Sequence, residues 1–579
     1  MNAPSQDDGG ATSAVKKLFE LAADLPYHLK FVVIAVLVIG GAFKLGLDGK
    51  AIAAIVFLVV LGLVVDQVRT REPVDLRPRV GEPVTVGVLS FAIVGTSTEE
   101  EALGDGFAEE LITRLSRIGA LDVRPRHVML KYKARREATR KIARRLKASY
   151  LVRGTLRKHG DECRVDAGVI QTWDGDEWRE QWQRPFAELF ELQSEVAEGV
   201  AEHLVGLFRR EGADPLEREE REALRRSPAE SVDAHYSYVQ GRPDIRRFNR
   251  RREQKDFESA RQRFLRALEQ DPGYLDARAE LGFLYLLQWE TDGAPKWLEQ
   301  SAAEFRRIRE REPDHPVAAA ELGYIAFVNG RPEEGFELAR AAAERHRGHT
   351  ITQNVLALLY MYLGFYESAI DLTRNLVTRV DPEYVYPPTN ASTCCYLMGD
   401  CEGALRWAER AEEVDPSAFI VPLVEGAAWF CKGERRAADR AWRRGLRVAP
   451  PYIDPLFEVT RAWIHADRGD LSAARAAVRD HRGDRWLHGA YDPYFISLCA
   501  LAGEHDLAMD LIRRQVTWAS SYRYLVGDPT LRPLRDHPGF AELLRARHAR
   551  WTELVGGIQD LPAPPPSLPT PDEFLDASE

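Results

Sequence analysis

Cysteine and methionine are scarce in this chain, six and five among 579 residues. The cysteines (163, 394, 395, 401, 431 and 499) show neither paired metal-ligand spacing nor a regular framework. They therefore exclude a disulfide-stapled fold and read as reduced, mostly buried thiols, including the Cys394, Cys395 and Cys401 group. No histidine pair has zinc spacing and no Gly-x-Ser-x-Gly elbow occurs. Gly49-Lys50 lacks the upstream glycine and the following Ser or Thr of a phosphate-binding loop. Gly104-Asp105-Gly106 reads as a helix start capped by Asp105 rather than as a ligand turn. These absences leave no catalytic, cofactor or metal site to assign, and the expectation is a protein that is not an enzyme. Excess positive charge is missing too: the net charge is −10, which excludes bulk polyanion binding. What remains is ordinary globular composition, 45% hydrophobic and 29% charged, which excludes a disordered chain.

Long apolar runs occur only near the start. Residues 31–43 and 51–65 are apolar, separated by Lys44, Asp48 and Lys50. One continuous helix would place those charges near a bilayer centre at ~2.5–3.5 kcal/mol each. The spacing instead predicts a two-helix membrane hairpin over 30–66, turning at Gly46–Gly49, after an amino-terminal segment 1–29. A cleaved signal peptide fits less well, because a second apolar run follows the first. Basic residues flank the hairpin on both sides (Lys16, Lys17, Lys30; Arg69, Arg71, Arg77, Arg79), which predicts an inner-membrane protein with both termini cytoplasmic.

A proline-bearing linker over 67–83 leads to a compact module over 84–208. A β-type run, VTVGVLSF, precedes a stretch of helical spacing, GDGFAEELITRLSRI. LDVRPR follows as a strand, then a basic helix, then three strands joined at His159-Gly160-Asp161 and Asp174-Gly175-Asp176. A helix near 189–208 closes it. These blocks, ending in LFELQSEVAEGVA, resemble in order the TolB-like amino-terminal domain of bacterial signalling proteins. In such proteins the domain commonly lies between an effector (a class III nucleotide cyclase, a winged-helix domain or a kinase) and a tetratricopeptide array. The resemblance implies sensing or scaffolding, with the effector missing from this sequence.

Beyond a charged linker, 209–230, the chain repeats itself. Gly330, Gly364, Gly399, Gly433, Gly469 and Gly503 recur at gaps of 34, 35, 34, 36 and 34 residues. Five residues after each comes a small residue: Gly335, Ala369, Ala404, Ala438, Ala474 and Ala508, with Ala260 in the same role earlier. Two helices plus turns fill such a period, the small residue lets the backbones cross closely, and prolines such as Pro416 and Pro450 stop the second helix. The pattern resembles tetratricopeptide repeats, about eight of them, in an array with its carboxy-terminal cap over 231–555. The proline-rich acidic tail, 556–579, reads as disordered. The expected fold class is thus multidomain α+β: a transmembrane helical hairpin, a small α/β sandwich-type domain, then an α-solenoid.

One patch departs from the overall charge. Residues 124–158 hold fourteen Lys or Arg and one acid, Glu137. The cluster of Lys131, Lys133, Arg135, Arg136, Arg140, Lys141, Arg144 and Arg145 reads first as a solvated helix face and second as an anionic-lipid contact beside the bilayer. Nucleic acid is not expected, since aromatics are not interleaved as stacking platforms. The expected function is a membrane-anchored scaffold or signalling adaptor that holds a protein or peptide in its repeat groove. The alternatives are a regulatory partner or degenerate relative of a nucleotide-cyclase system, or an envelope assembly factor if the carboxy-terminal part is exported.

Overall fold

The structure is a computed structural model in which the described residues are 76–78, 83–93, 98–124, 129, 132, 139–207, 216–227, 229–380, 384–483, 491–514, 521–562, 564–565 and 568–577. The chain separates into two compact units, 1–77 and 78–579. Only residues 76 and 77 of the first are described; the sheet and the helical array both belong to the second.

The amino-terminal part of this second unit is a mixed sheet. β1 (Val84–Val88) pairs in parallel with β3 (Leu121–Val123) and β4 (Tyr150–His159), and the short β2 (Ala92–Ile93) also runs parallel to β4. From β4 onward the pairing is antiparallel, through β5 (Glu162–Gln171) to β6 (Glu177–Pro185), giving the order β3-β1-β4-β5-β6. The parallel half is connected through helices α1 (Thr98–Leu115) and α2 (Thr139–Leu146), the antiparallel half through tight turns with Gly160 and Gly175 at positive φ. α3 (Leu189–Gly206) lies on β5 and β6, where Gly199 leaves room for Trp182: a Cβ there would come within 2.7 Å of the indole. Gly104 and Gly106 fall inside α1 rather than at its start, so Asp105 is not its cap. Both glycines serve close packing, Gly104 against the Phe91 carbonyl and Gly106 against Val239, 2.7 Å from where a Cβ would stand.

After α4 (Arg218–Arg225), eight antiparallel helix pairs stack. They are α5 (Val232–Arg251) with α6 (Gln254–Gln270), α7 (Leu275–Asp292) with α8 (Pro295–Arg311), α9 (Pro316–Val328) with α10 (Pro332–Arg345), and α11 (Thr350–Leu363) with α12 (Tyr366–Asn375). The stack continues as α13 (Tyr386–Leu397) with α14 (Cys401–Val414), α15 (Ile420–Cys431) with α16 (Arg435–Val448), α17 (Asp454–Asp467) with α18 (Leu471–His481), and α19 (Asp492–Leu501) with α20 (His505–Arg514). The turns within six pairs are alike. At the third of these, Gly399 has φ +75°, its N–H donates to Tyr396 O (3.0 Å), and the Asp400 N–H donates to Cys395 O (2.9 Å). That is a Schellman closure, which satisfies carbonyls a helix end leaves open and needs a left-handed residue. Within the α9–α10 pair the backbones nearly touch: a Cβ on Gly323 would lie 2.7 Å from Gly335 O. The sheet docks on the first pair through α1, where Glu109 ion-pairs with Arg242 of α5. Arg114, fully buried, donates to Glu110 (2.7 Å), Ser194 (2.7 Å) and Leu224 O (2.5 Å).

Three expectations need correction. The fold is a mostly helical solenoid with one small mixed-sheet domain, and among the described residues no helix is long and apolar enough to cross a membrane. Those of sufficient length carry charge throughout, as α5 does with Arg242, Asp244, Arg246 and Arg247. The segment 30–66 read as a membrane hairpin lies outside the described residues, so the transmembrane fold class and the inner-membrane localisation with cytoplasmic termini are withdrawn. Second, Cys401 and Cys431 form a disulfide with Cα atoms 5.8 Å apart, while Cys163, Cys394, Cys395 and Cys499 are buried thiols. Third, the carboxy-terminal tail is packed. α21 (Tyr522–Gly527), a 3-10 segment (Pro529–Asp536) and α22 (Phe540–Gly557) fold back over the array, and α23 (Pro571–Asp576) lies on them. Phe574 joins the array core, Tyr522 donates to Pro569 O (2.6 Å), and Thr570 with Glu573 forms a capping box. Widely spaced apolar residues in the tail (Leu561, Leu568, Phe574) find a core that its proline-rich composition did not advertise.

Candidate functional site

First helices of the pairs line a shared interior, and the array curls until the start of its seventh pair meets the first. Arg252, just past α5, reaches Tyr452 across 200 residues of sequence, Nε donating to the phenol oxygen at 3.2 Å. The same guanidinium donates to Glu290 of α7 (3.0 Å) and to Leu287 O. Arg252 stands in the left-handed region (φ 52°), a conformation that costs a non-glycine residue and persists where surrounding contacts enforce it. The cap adds a second closure. Arg523 of α21 binds Glu367 bidentately (2.6 Å to each oxygen) and Gly364 O (2.9 Å), and the Trp551 indole of α22 donates to Leu363 O (2.7 Å).

Inside lies a cavity of about 270 Å³. Tyrosines dominate its wall: Tyr324, Tyr362, Tyr384, Tyr386, Tyr452, Tyr491 and Tyr494, interleaved with Asn249, Asn354, Asn390 and two acids, Glu290 and Glu321. Tyr386 remains 40% exposed because it faces this space, and burial raises its pKa. Glu321 of α9 is only 7% exposed, and burial, reinforced by Glu290, pushes its carboxyl up to about 8. It forms no hydrogen bond or ion pair among the described residues. Asn354 Oδ1 is likewise buried without a partner. Aromatic bodies with polar tips and carboxamides able to donate and accept suit an extended polypeptide, whose own N–H and C=O groups need both.

A second cavity, about 810 Å³, opens between α3 and the start of the array. Several of its charges are paired: Glu198 holds Arg225 (2.5 Å), Glu195 holds Arg184 (2.6 Å), and Asp271 accepts from the Glu230 and Gly273 backbones (2.8 Å each). Glu191, Glu230 and Arg311 also stand at its wall.

The residues singled out from sequence fall elsewhere. Ala260, Ala369, Ala404, Ala438, Ala474 and Ala508 sit on second helices of their pairs, between 0 and 3% exposed. Gly330, Gly364, Gly399, Gly433, Gly469 and Gly503 all have φ between +75° and +87°. None of these lines the interior. Of the basic cluster, Lys141 and Arg144 are exposed on α2, while Lys131, Lys133, Arg135 and Arg136, and the side chains of Arg140 and Arg145, lie outside the described residues. The lipid-contact reading loses its premise with the hairpin. Among the described residues no three His, Cys, Asp or Glu side chains converge as metal ligands. The interior residues were missed, although a signal exists: Glu321, Val355, Asn390 and Tyr494 each stand nine residues before a turn glycine, and all four line the cavity.

No family model matches the chain. A curated relative, a putative adenylate cyclase 3 of Rhizobium meliloti (strain 1021), is 29% identical over 234 residues, 40% of this chain. The chain spans only 37% of that protein's length. Among solved structures, a tetratricopeptide repeat protein of Parabacteroides merdae is 14% identical with a TM-score of 0.33, covering 46% of this chain and 99% of its own. A thermophilic tetratricopeptide protein of Thermus thermophilus is 20% identical with a TM-score of 0.28, covering 34% and 99%. A human IFIT1 dimer with m7Gppp-AAAA is 16% identical with a TM-score of 0.36, covering 63% and 78%. The repeat architecture rests on the helix pairs themselves.

Proposed function

We propose that this protein is a non-enzymatic scaffold or signalling adaptor that holds an extended segment of another protein inside its repeat array. The observation that carries this reading is the tyrosine- and asparagine-lined interior in which the Asn354 amide oxygen is buried without a partner. Helical arrays bury one continuous core and leave a long inner surface, the usual place for peptide capture. The test places a photo-crosslinking amino acid at Asn390, inside, or at Glu337, on the outer face of α10, in the full chain expressed in its own cells. A discrete protein adduct from Asn390 and none from Glu337 supports the reading; equal labelling at both positions refutes it.

A second reading draws on the Rhizobium meliloti relative and on the resemblance of residues 84–208 to a TolB-like domain. In it the chain regulates a nucleotide cyclase encoded separately, with the array as the docking part. Adding the purified chain to membranes or extracts with measured cyclase activity should then change cyclic-nucleotide production, and the chain alone should make none.

A further inference from the structure

The unmatched groups in the interior share one property: each offers an oxygen able to accept. Asn354 Oδ1 is buried without a donor, and the Glu321 carboxyl, itself more than nine-tenths buried, has no partner among the described residues. A buried acceptor left unpaired carries a desolvation cost that a donor from outside removes. The cation already in the cavity wall is not available to it, because Arg252 is committed to Tyr452, Leu287 O and Glu290. Tyrosine rings surround the vacant acceptors: Tyr324 lies one turn along from Glu321, and Tyr362 of α11 hydrogen-bonds it. A carboxyl that ionises on meeting a cation, beside an amide oxygen and aromatic faces, favours a cation with several N–H donors.

We infer that the interior receives a lysine or arginine side chain of the extended partner segment, its cationic head donating to Glu321 and Asn354 Oδ1 against Tyr324 and Tyr362. This rests on the reading that the interior binds protein, and it names which residue of the partner is read there.

The inference has a proton signature. The titratable and charged groups that act on Glu321 are Glu290 from α7 and Tyr324 on its own helix, and Tyr362 from α11 and the already paired Arg252 line the same cavity. α10 meets α9 through Gly335 and Ala339, which do not titrate, and Glu304 of α8 is taken by Arg278 (2.6 Å) and Arg307 (2.5 Å). With its carboxyl at about 8, Glu321 carries a proton in the empty interior at pH 7. A bound cation favours the carboxylate, so binding sends that proton to buffer.

The test is calorimetry on the full chain with hexalysine as the probe, in buffers of differing ionisation enthalpy at pH 7. The expected result is one-to-one binding with close to one proton released. Glu321→Gln, which keeps shape and removes the titrating group, should weaken binding at least tenfold and abolish the release. Asn354→Ala should weaken it about threefold or more. Glu337→Gln, on the exposed outer face, should change it less than twofold, which separates recognition from general attraction to an acidic protein. Equal affinity of wild type and Glu321→Gln, or release that persists in that variant, overturns the inference. Spermidine binding as tightly as hexalysine and with the same Glu321 dependence also overturns it, in favour of a free polyamine. If Asn390 still forms its protein adduct while hexalysine ignores Glu321, the scaffold reading survives and this inference falls; if Asn390 forms no adduct, both fall.

Discussion

The sheet domain and the repeat array solve the same problem, burying apolar surface, with opposite consequences for polar groups. In the sheet domain, β4 and β5 match residue for residue over ten pairs from Tyr150↔Gln171 to His159↔Glu162. Its buried charges, Arg114 and Glu110, are held against each other and against neighbouring elements. The array is assembled from adjacent helices, and contacts between distant parts of its chain close the curl and seat the cap, among them Arg252 to Tyr452, Arg523 to Glu367, Trp551 to Leu363 and Tyr396 to Asp528. Closing a curled stack leaves an inner surface that no further element fills. The sheet domain leaves a few buried polar atoms unmatched against its own elements, Gln193 Oε1 among them, whereas in the array Asn354 Oδ1 and the Glu321 carboxyl face an enclosed interior.

The sharpest way to break the comparison is to damage one core and watch the other. Trp442 is fully buried, edge-on to Trp463 (5.8 Å), with its indole donating to Leu423 O (3.2 Å). Trp442→Ala should cost ~3–5 kcal/mol. Hydrogen exchange should rise across α14–α18 and leave β1–β6 protected. Equal loss of protection in both regions would make them one cooperative unit.

The next effect is comparable and depends on pH. The Glu321 carboxyl titrates near 8 in the folded protein, above its ordinary 4.5. Above pH 4.5 the unfolded chain gives up a proton that the folded chain keeps, so the stability contributed by the neutral form is full below that pH and is lost as pH rises toward 8. At ~1.4 kcal/mol per pH unit the loss is on the order of 5 kcal/mol. Glu321→Gln should match wild type in Tm at pH 5 and exceed it at pH 8.5. Parallel Tm curves for the two proteins would show that the carboxyl is not held neutral by burial.

Smaller still is Ala404→Leu. Ala404 is fully buried on α14, and its carbonyl accepts from Ser392 Oγ of α13 at 2.8 Å. The extra methylenes should cost ~1–3 kcal/mol. New proteolytic cuts should fall within 370–440, with residues 84–207 intact. Cuts reaching 521–577 as well would show that the cap, tied to α11 and α12 through Trp551 and Arg523, transmits the strain.

These predictions differ in how far the sequence alone led to them. Ala404 and the turn glycines were legible because a helix pair is a local object: period, small residue and stop signal all lie within one repeat. The interior was not, because it depends on the rotation accumulated from the first pair to the start of the seventh, which brings Arg252 to Tyr452. No window of sequence contains that rotation. Glu321 was half legible: its place nine residues before Gly330 is the inward place, but only the closed array makes its carboxyl buried. The disulfide was legible in principle and missed. Cys401 stands two residues after Gly399 and Cys431 two before Gly433, so the repeat register alone puts both at the same end of the stack. Composition argued against bonding, and geometry prevailed. The packed tail failed for a related reason, since proline content hid the spacing of Leu568 and Phe574.

The smallest effect tests whether that disulfide matters to the array. Asp400 caps α14, its carboxylate accepting from the Gly403 N–H at 2.8 Å, and Cys401 is the first residue of the same helix. Asp400→Ala removes the cap at a cost of ~1 kcal/mol. With Cys401 tied to Cys431 at the end of α15, the first turn of α14 is restrained even when uncapped, because fraying must also move α15. With the bond reduced, the same turn frays alone. The cap should therefore contribute less in the oxidised protein than in the reduced one, a coupling between neighbours that a double-mutant cycle with Cys401→Ser would read. Exchange at the Gly403 and Ala404 amides should be faster in Asp400→Ala than in wild type when reduced, and closer to wild type when oxidised. Equal cap effects in the two redox states would mean that the disulfide joins two turns already held in place by their Schellman closures and adds nothing to the local stability of the array.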